Sequence, residues 1–324
     1  MTAQLLLQTS RGTSRLNLDN GRSWSMGRGR DNAVPLYDHC ASRQHALILK
    51  VGGFKYYLMD LGSRNGTYLN GKRIHTPVLL HPKDRISIGE TTLEFAMSEP
   101  QTTDFSKEDT EIRLQKRRLI TALVVDIRNY SKMTQQINER LLTEVITKWF
   151  KSAINIVEQQ GSWVDELVGN AFLALWIHEA DADIQQVAIT EILTAFRAVQ
   201  ALSRLCAELN QQYELTLPLT IGAGINTGYA YVEISEVQEI YPDLQVIADA
   251  TTKAFALEVA CRELNLDVAI AESTHRRTSY ASVLLPFKQY VLNLPNNSEP
   301  ISAYAGTLAG IDHFLEKVNL VFTE

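Results

Sequence analysis

Four short pieces of the first hundred residues carry groups able to meet an anion: Gly27-Arg28, Ser42-Arg43-Gln44-His45, the run Leu61-Gly62-Ser63-Arg64-Asn65-Gly66-Thr67, and Asn70-Gly71. Arg28 offers a forked guanidinium, Ser42 a short hydroxyl, and Asn65 an amide able to orient a peptide backbone. A phosphate monoester, with several strong acceptor oxygens and a charge of about −1.5 to −2, suits that set of donors. Further along, Val124-Val125-Asp126-Ile127-Arg128-Asn129-Tyr130-Ser131 places a carboxylate, Asp126, at the end of a mostly apolar run.

Taken together, the four pieces resemble a forkhead-associated (FHA) domain over about residues 20–96. The match extends to the final strands and to the Ile88-Gly89 pair between them. The resemblance implies that Arg28 and Ser42 are the principal phosphate contacts and that Arg43 and Arg64 shape or supplement the anion site. It further implies that Asn65 and Asn70 hold the main chain of a bound peptide, and that the partner is a phosphothreonine-containing protein. His45 is expected to brace the loop rather than to bind. Asn65-Gly66 is in its own right a turn signal.

The segment around Asp126 resembles the opening metal-binding segment of class III adenylate and guanylate cyclases. The hairpin from Gly161 to Trp176 and Gly224-Ile225-Asn226-Thr227-Gly228 extend the resemblance over about residues 117–290. Cyclisation of a nucleoside triphosphate needs charge neutralisation on the phosphates, which two Mg²⁺ ions held by carboxylates normally supply. Asp126 matches the first carboxylate, but the second falls at Asn170, whose amide brings no negative charge. Glu166 lies about 13 Å from that position along an extended strand, too far to replace it. It also takes the place of a base-reading lysine, and Gln245 that of the second base-reading residue. Thr252 and Ala256 fall where the family supplies an asparagine and an arginine, and Lys253 reads as a solvated helix residue.

No catalytic residue is assigned on this reading, and the resemblance leaves Asp126 alone as a residual Mg²⁺ ligand. Mg²⁺ and ATP are implied only if some nucleotide binding or cyclase activity survives. The expected function is phosphothreonine recognition in an intracellular signalling or scaffolding protein. The cyclase-like half would be inactive and used for dimerisation, as a homodimer or heterodimer, or for partner binding. The alternatives are an adenylate cyclase under FHA control and a non-catalytic nucleotide sensor.

The elements that must position these residues follow from pattern. ALILKV, KYYLMDL, GTYLN, RISI and TLEFAM are short strands separated by turn signals, the mark of an all-β sandwich over residues 1–98, with Val51-Gly52-Gly53-Phe54 as a hairpin turn. Residues 99–117 read as a linker in which 106–118 forms a short helix. Residues 118–291 read as an α/β domain of the split β-α-β, ferredoxin-like kind. LITALVVDI suits a central strand; Ile137, Leu141, Leu142, Val145, Trp149, Ala153, Ile154 and Val157 recur at helical spacing up to a stop at Gly161; WVDELVGNAFLALW is a strand pair. A long helix over 181–211, a second strand pair turning near Thr227-Gly228, a helix over 250–264 and a strand near 266–271 follow. Residues 292–324, with Pro295 and a strand-like run at 300–304, are a C-terminal extension of unassigned role.

Composition narrows the classes. Apolar residues make up 45% and charged residues 21% of 324, which argues against a disordered or fibrous chain. No apolar run reaches the roughly 18 residues of a membrane span, so a cytoplasmic protein is expected. Residues 1–97 hold 13 Lys+Arg against 7 Asp+Glu, and residues 98–324 hold 18 against 30. The basic first part suits anionic ligands, while the acidic remainder argues against nucleic acid. Cys40, Cys206 and Cys261 form no CxxC pair and read as small buried apolar residues.

Overall fold

The computed structural model describes residues 2–9, 12–18, 21–51, 55–98, 114–178, 186–234, 249–278, 283–292 and 300–322. Gln245, Pro295 and most of the expected linker lie outside them. The described residues fall into two compact units: those of Met1–Arg113 together with Ser131–Phe150, and those of Leu114–Tyr130, Lys151–Glu236 and Leu244–Glu324. No helix among the described residues is long and apolar enough to cross a membrane.

The first unit is a β-sandwich. Its strands are β1 (Thr2–Thr9), β2 (Gly12–Asn17), β3 (Ser23–Gly27), β4 (Val34–Pro35), β5 (Ala46–Val51), β6 (Lys55–Asp60), β7 (Thr67–Leu69), β8 (Lys72–Arg73), β9 (Val78–Leu79), β10 (Arg85–Ile88) and β11 (Thr91–Ser98). One sheet runs β2-β1-β11-β10-β7-β8 and the other β4-β3-β5-β6-β9. Inward positions such as Leu5, Met26, Ile48, Leu58, Ile86 and Phe95 form one apolar core. Across it Tyr56 of β6 lies 5.5 Å from Phe95 of β11, ring centre to ring centre, and within its own sheet Tyr56 lies 6.0 Å from Trp24 of β3. Such aromatic pairs add about 0.5–1.5 kcal/mol each beyond the area they bury. Asn70 and Gly71, at φ 50° and 79°, join β7 to β8 in a two-residue turn of the kind that requires positive φ at both positions. The turn expected at Gly52–Phe54 lies outside the described residues, between strands paired as expected.

Two helices follow β11 after an intervening strand: α1 (Tyr130–Gln136) and α2 (Glu139–Gln159). Asn138 caps α2, its side-chain oxygen accepting from the Arg140 N–H at 3.1 Å, with Glu139 in the first turn where the helix dipole favours an acid. Gly161, at φ 78°, ends it as the spacing predicts.

The second unit is a seven-stranded mixed sheet with helices. β12 (Leu114–Ile127), β13 (Trp163–Val168), β14 (Ala171–Ile177), α3 (Gln186–Gln212), β15 (Ile221–Ile234), α4 (Asp249–Glu263), β16 (Val268–Ala271), α5 (Glu272–Thr278), β17 (Lys288–Leu292), β18 (Ile301–Gly306) and α6 (Leu308–Phe322) give the sheet order β13-β14-β12-β15-β16-β18-β17. The fold class is the expected one, an all-β sandwich followed by an α/β domain. The α4 backbone crosses β15 so closely at Gly224 that a Cβ there would strike the Ala254 carbonyl and, at 2.5 Å, the Glu258 nitrogen. Only glycine fits.

Several expectations change. Residues 114–118 are the start of β12 rather than the end of a helix, because that strand pairs along its whole length with β15, from Leu114↔Ile234 to Ile127↔Ile221. The same pairing makes β15 one continuous strand with no turn at Thr227-Gly228, where Thr227 instead joins a buried polar cluster. The Thr121 hydroxyl lies 3.1 Å from that of Thr227 and 3.0 Å from His178 Nε2, and the Thr227 N–H donates to Thr274 Oγ1 at 2.8 Å. The C-terminal segment is no appendage, since β18 lies between β16 and β17, and Phe314 of α6 packs edge-on against Phe196 of α3 at 5.8 Å. Cys206 and Cys261 are buried, but Cys40 is exposed, because it sits on a loop rather than in the sandwich core.

Candidate functional site

The predicted anion-binding pieces are brought together at one end of the sandwich by backbone bonds. The Arg28 N–H donates to the Ser42 carbonyl at 3.0 Å, and the Gly29 N–H to the Arg43 carbonyl at 3.0 Å. A Cβ on Gly27 would collide with the Arg43 carbonyl and lie 2.8 Å from that of Ser42, so this approach requires glycine. The Ser42 hydroxyl accepts the Arg64 N–H at 3.0 Å, which leaves its own proton to donate outward. Asn65 Nδ2 donates to the Cys40 carbonyl at 2.7 Å. The Arg28, Arg43 and Arg64 side chains are exposed and form no ion pair among the described residues.

His45 braces these loops, as expected. Its Nδ1 accepts the Ser42 N–H at 2.9 Å, which places the proton on Nε2, 3.1 Å from the Gly66 carbonyl. Burial holds its pKa below the usual histidine value, against the opposing pull of the Gly66 carbonyl and Asp60. Asn70 is different. Its amide donates to Asp84 at 2.7 Å and accepts the Arg85 N–H at 2.9 Å, so both polar atoms stabilise the unit's own turns.

Sequence reasoning missed three further braces. Asn32 donates to the Gly29 and Arg43 carbonyls at 2.9 and 2.7 Å. Asp38 accepts from the Cys40, Glu90 and Thr91 N–H groups. Buried Asp60 accepts from the Ser63 N–H, the Ser63 hydroxyl and the Thr67 hydroxyl. The signal available for Asp60 was its position three residues before Ser63, the spacing of a side chain that closes a turn.

In the second unit Asp126 is buried and meets nitrogen on both sides. Asn170, beside the positive-φ Gly169 between β13 and β14, donates Nδ2 to Asp126 Oδ1 at 2.6 Å and to the Ile127 carbonyl at 2.8 Å. Arg262 of α4 donates to Asp126 Oδ2 at 2.9 Å and to Glu258 at 3.0 Å. Arg128 lies 2.8 Å from the other Glu258 oxygen, in charge contact without the alignment of a hydrogen bond. Its guanidinium fills the space a side chain at Gly222 would need. Burial pushes the Asp126 pKa up to about 6, helped by Glu258 and opposed by Arg262 and Arg128. Glu166 pairs across the hairpin with Leu173, after an irregularity at Val164/Glu166, and Thr252, Lys253 and Ala256 lie on α4. Mg²⁺ binds through oxygen. Here Asn170 turns its NH₂ group toward the carboxylate and two arginines flank the acids, so the residues present do not fit a divalent cation.

Residues 24–89 match the FHA domain family. The first unit contains an FHA domain. Over 69 residues the chain is 39% identical to the FHA domain-containing protein FhaB of Mycobacterium tuberculosis, covering 21% of this chain and 44% of that protein. A second similarity, 25% identity over 175 residues, is to an adenylate cyclase of Anabaena cylindrica, covering 53% of this chain and 33% of that one. The matches thus span less than half the length of either relative. The adenylyl cyclase CyaB from P. aeruginosa superposes at 19% identity and a TM-score of 0.46, over 59% of this chain and 95% of its own. The FHA domain is therefore followed by a second, α/β unit, whose similarity is to cyclases.

Proposed function

We propose that the FHA domain binds a phosphothreonine-containing segment of a protein partner, and that the cyclase-like domain acts as a dimerisation or partner-binding scaffold rather than as a cyclase. One contrast supports this reading above the others. Three exposed arginines without carboxylate partners surround an outward-donating serine hydroxyl, whereas the acid of the second unit is already neutralised by an internal arginine. In the complex, Arg28 and the Ser42 hydroxyl hold the phosphate, and Arg43 and Arg64 supplement its charge. The Asn65 carbonyl oxygen accepts from the peptide backbone, while Asn70 shapes the turn. Charge-assisted hydrogen bonds of this kind contribute about 1.5–3 kcal/mol each.

The test is a phosphothreonine peptide array read with the full chain and with Arg28→Ala, followed by a cyclic AMP assay on the same preparation with ATP and Mg²⁺ or Mn²⁺. Binding that requires both the phosphate and Arg28, without turnover, is the expected result. Equal binding of phosphorylated and unphosphorylated peptides would remove the first half of the proposal, and cyclic AMP formation the second.

A further inference from the structure

The carboxylates of Asp126 and Glu258 are both buried, at 5% and 3% exposure, and they converge on one guanidinium. Arg262 Nη2 is 2.9 Å from Asp126 Oδ2 and 3.0 Å from Glu258 Oε2. Two buried acids this close need a shared cation, because like charges in a poorly hydrated site raise one another's energy. We infer that Arg262 is that cation: a side chain carried by α4 that permanently occupies the place between Asp126 and Glu258, making this junction of strand and helix independent of divalent metal.

Three observations carry the inference. First, the opposing charges balance, with Arg128 and Arg262 against Asp126 and Glu258, so an added divalent cation would leave the cluster with excess positive charge. Second, the Asn170 amide is oriented by two acceptors at once, Asp126 Oδ1 and the Ile127 carbonyl. Its nitrogen must therefore face the carboxylate, and its oxygen is directed away from the position a metal would take. Third, Glu258 and Arg262 are four residues apart on one helix, the spacing at which an acid N-terminal to a base pairs best, so α4 presents the cation already aligned. Arginine suits this position because it stays charged under all physiological conditions and reaches two carboxylates with one planar group. Its side chain is 55% exposed, so it closes the cluster from the solvent side and its removal leaves no cavity in the core.

The inference is independent of the phosphopeptide reading, and its test needs neither peptide nor nucleotide. Mn²⁺ is titrated into the full chain and free Mn²⁺ is followed by electron paramagnetic resonance, with folding checked by circular dichroism. Arg262→Ala exposes the Asp126–Glu258 pair and is expected to bind Mn²⁺ at least about tenfold more tightly than the unsubstituted chain, as an oxygen-rich anionic site should. Arg262→Gln, which preserves more of the side chain's bulk, should show the same gain and serves if the alanine variant fails to fold. Adding Asp126→Asn to either variant should abolish the gain. Mn²⁺ affinity in the folded variants equal to that of the parent, whether measurable or absent, would overturn the inference. So would a gain that survives Asp126→Asn.

Discussion

Arg140 Nε donates to the Gly62 carbonyl at 2.9 Å, fixing the first turn of α2 against the loop that carries Ser63, Arg64 and Asn65. Nearby, the Thr147 hydroxyl donates to the Asp60 carbonyl, and Glu139 pairs with Arg73 at 3.1 Å and His75 at 3.2 Å. Gly62 has φ +72°, and a Cβ there would lie 2.7 Å from Glu144 Cβ and 3.0 Å from the Arg140 carbonyl. Gly62→Ala therefore combines an unfavourable backbone conformation with overpacking. It is expected to destabilise the first unit by roughly 2 kcal/mol or more. Urea unfolding followed by Trp24 fluorescence measures this, and an unchanged midpoint would mean that the helix does not hold this position in solution.

Ser42→Ala removes both the outward hydroxyl donor and the acceptor of the Arg64 N–H. Phosphopeptide affinity should fall about tenfold to a hundredfold, the worth of one charge-assisted hydrogen bond and some loop order. Fluorescence polarisation with a labelled peptide reads the change. Parent-like affinity would exclude Ser42 as a phosphate contact.

His178 gives the second unit a defined acid sensitivity. Burial, aided by Arg277, lowers its pKa from 6.5 to about 4, so the folded state keeps the imidazole neutral where the unfolded chain protonates it. Folding stability from this group is thus fully present above pH 6.5 and is lost as pH falls toward about 4, a loss on the order of 3 kcal/mol. Chemical denaturation across that window should show a shallower dependence for His178→Gln than for the parent. Identical slopes would refute the assignment.

The three thiols should separate by reactivity. Burial pushes the Cys261 thiol up to about 12, and it donates to the Leu266 carbonyl at 3.0 Å. Cys206 is buried as well, whereas Cys40 is exposed, two residues before Ser42. A colorimetric disulfide reagent should modify Cys40 rapidly in the folded chain and the other two only after denaturation. A bulky adduct on Cys40 should also weaken phosphopeptide binding, because the Cys40 carbonyl anchors Asn65.

Local chemistry made much of this legible in the sequence. The Asn70-Gly71 turn and the helical recurrence up to Gly161 each follow from short-range rules, whereas the grouping of Arg28 and Arg64 with Ser42 was implied by the FHA resemblance and is made by bonds between distant segments. What sequence reading misplaced depends on distant partners. Thr227-Gly228 has the composition of a turn, yet β12 supplies a full-length partner that keeps β15 extended. Glu258 and Arg262 are visible as a helix pair, but their meeting with Asp126, 136 residues from Arg262, is a property of the assembled sheet. Likewise, only the fold shows that Asn70 already uses its amide within the unit.

The place of β18 has a consequence for synthesis. β16 pairs in parallel with β15 on one side, but its other neighbour, β18, is translated some thirty residues later. Between the emergence of Val268–Ala271 from the exit tunnel and that of Ile301–Gly306, the apolar strand β16 presents an unsatisfied backbone edge, the kind of surface on which nascent chains associate wrongly. Completion of the second unit must wait until Gly306 has left the exit tunnel, so slowing elongation over the last strands should raise the demand for chaperones.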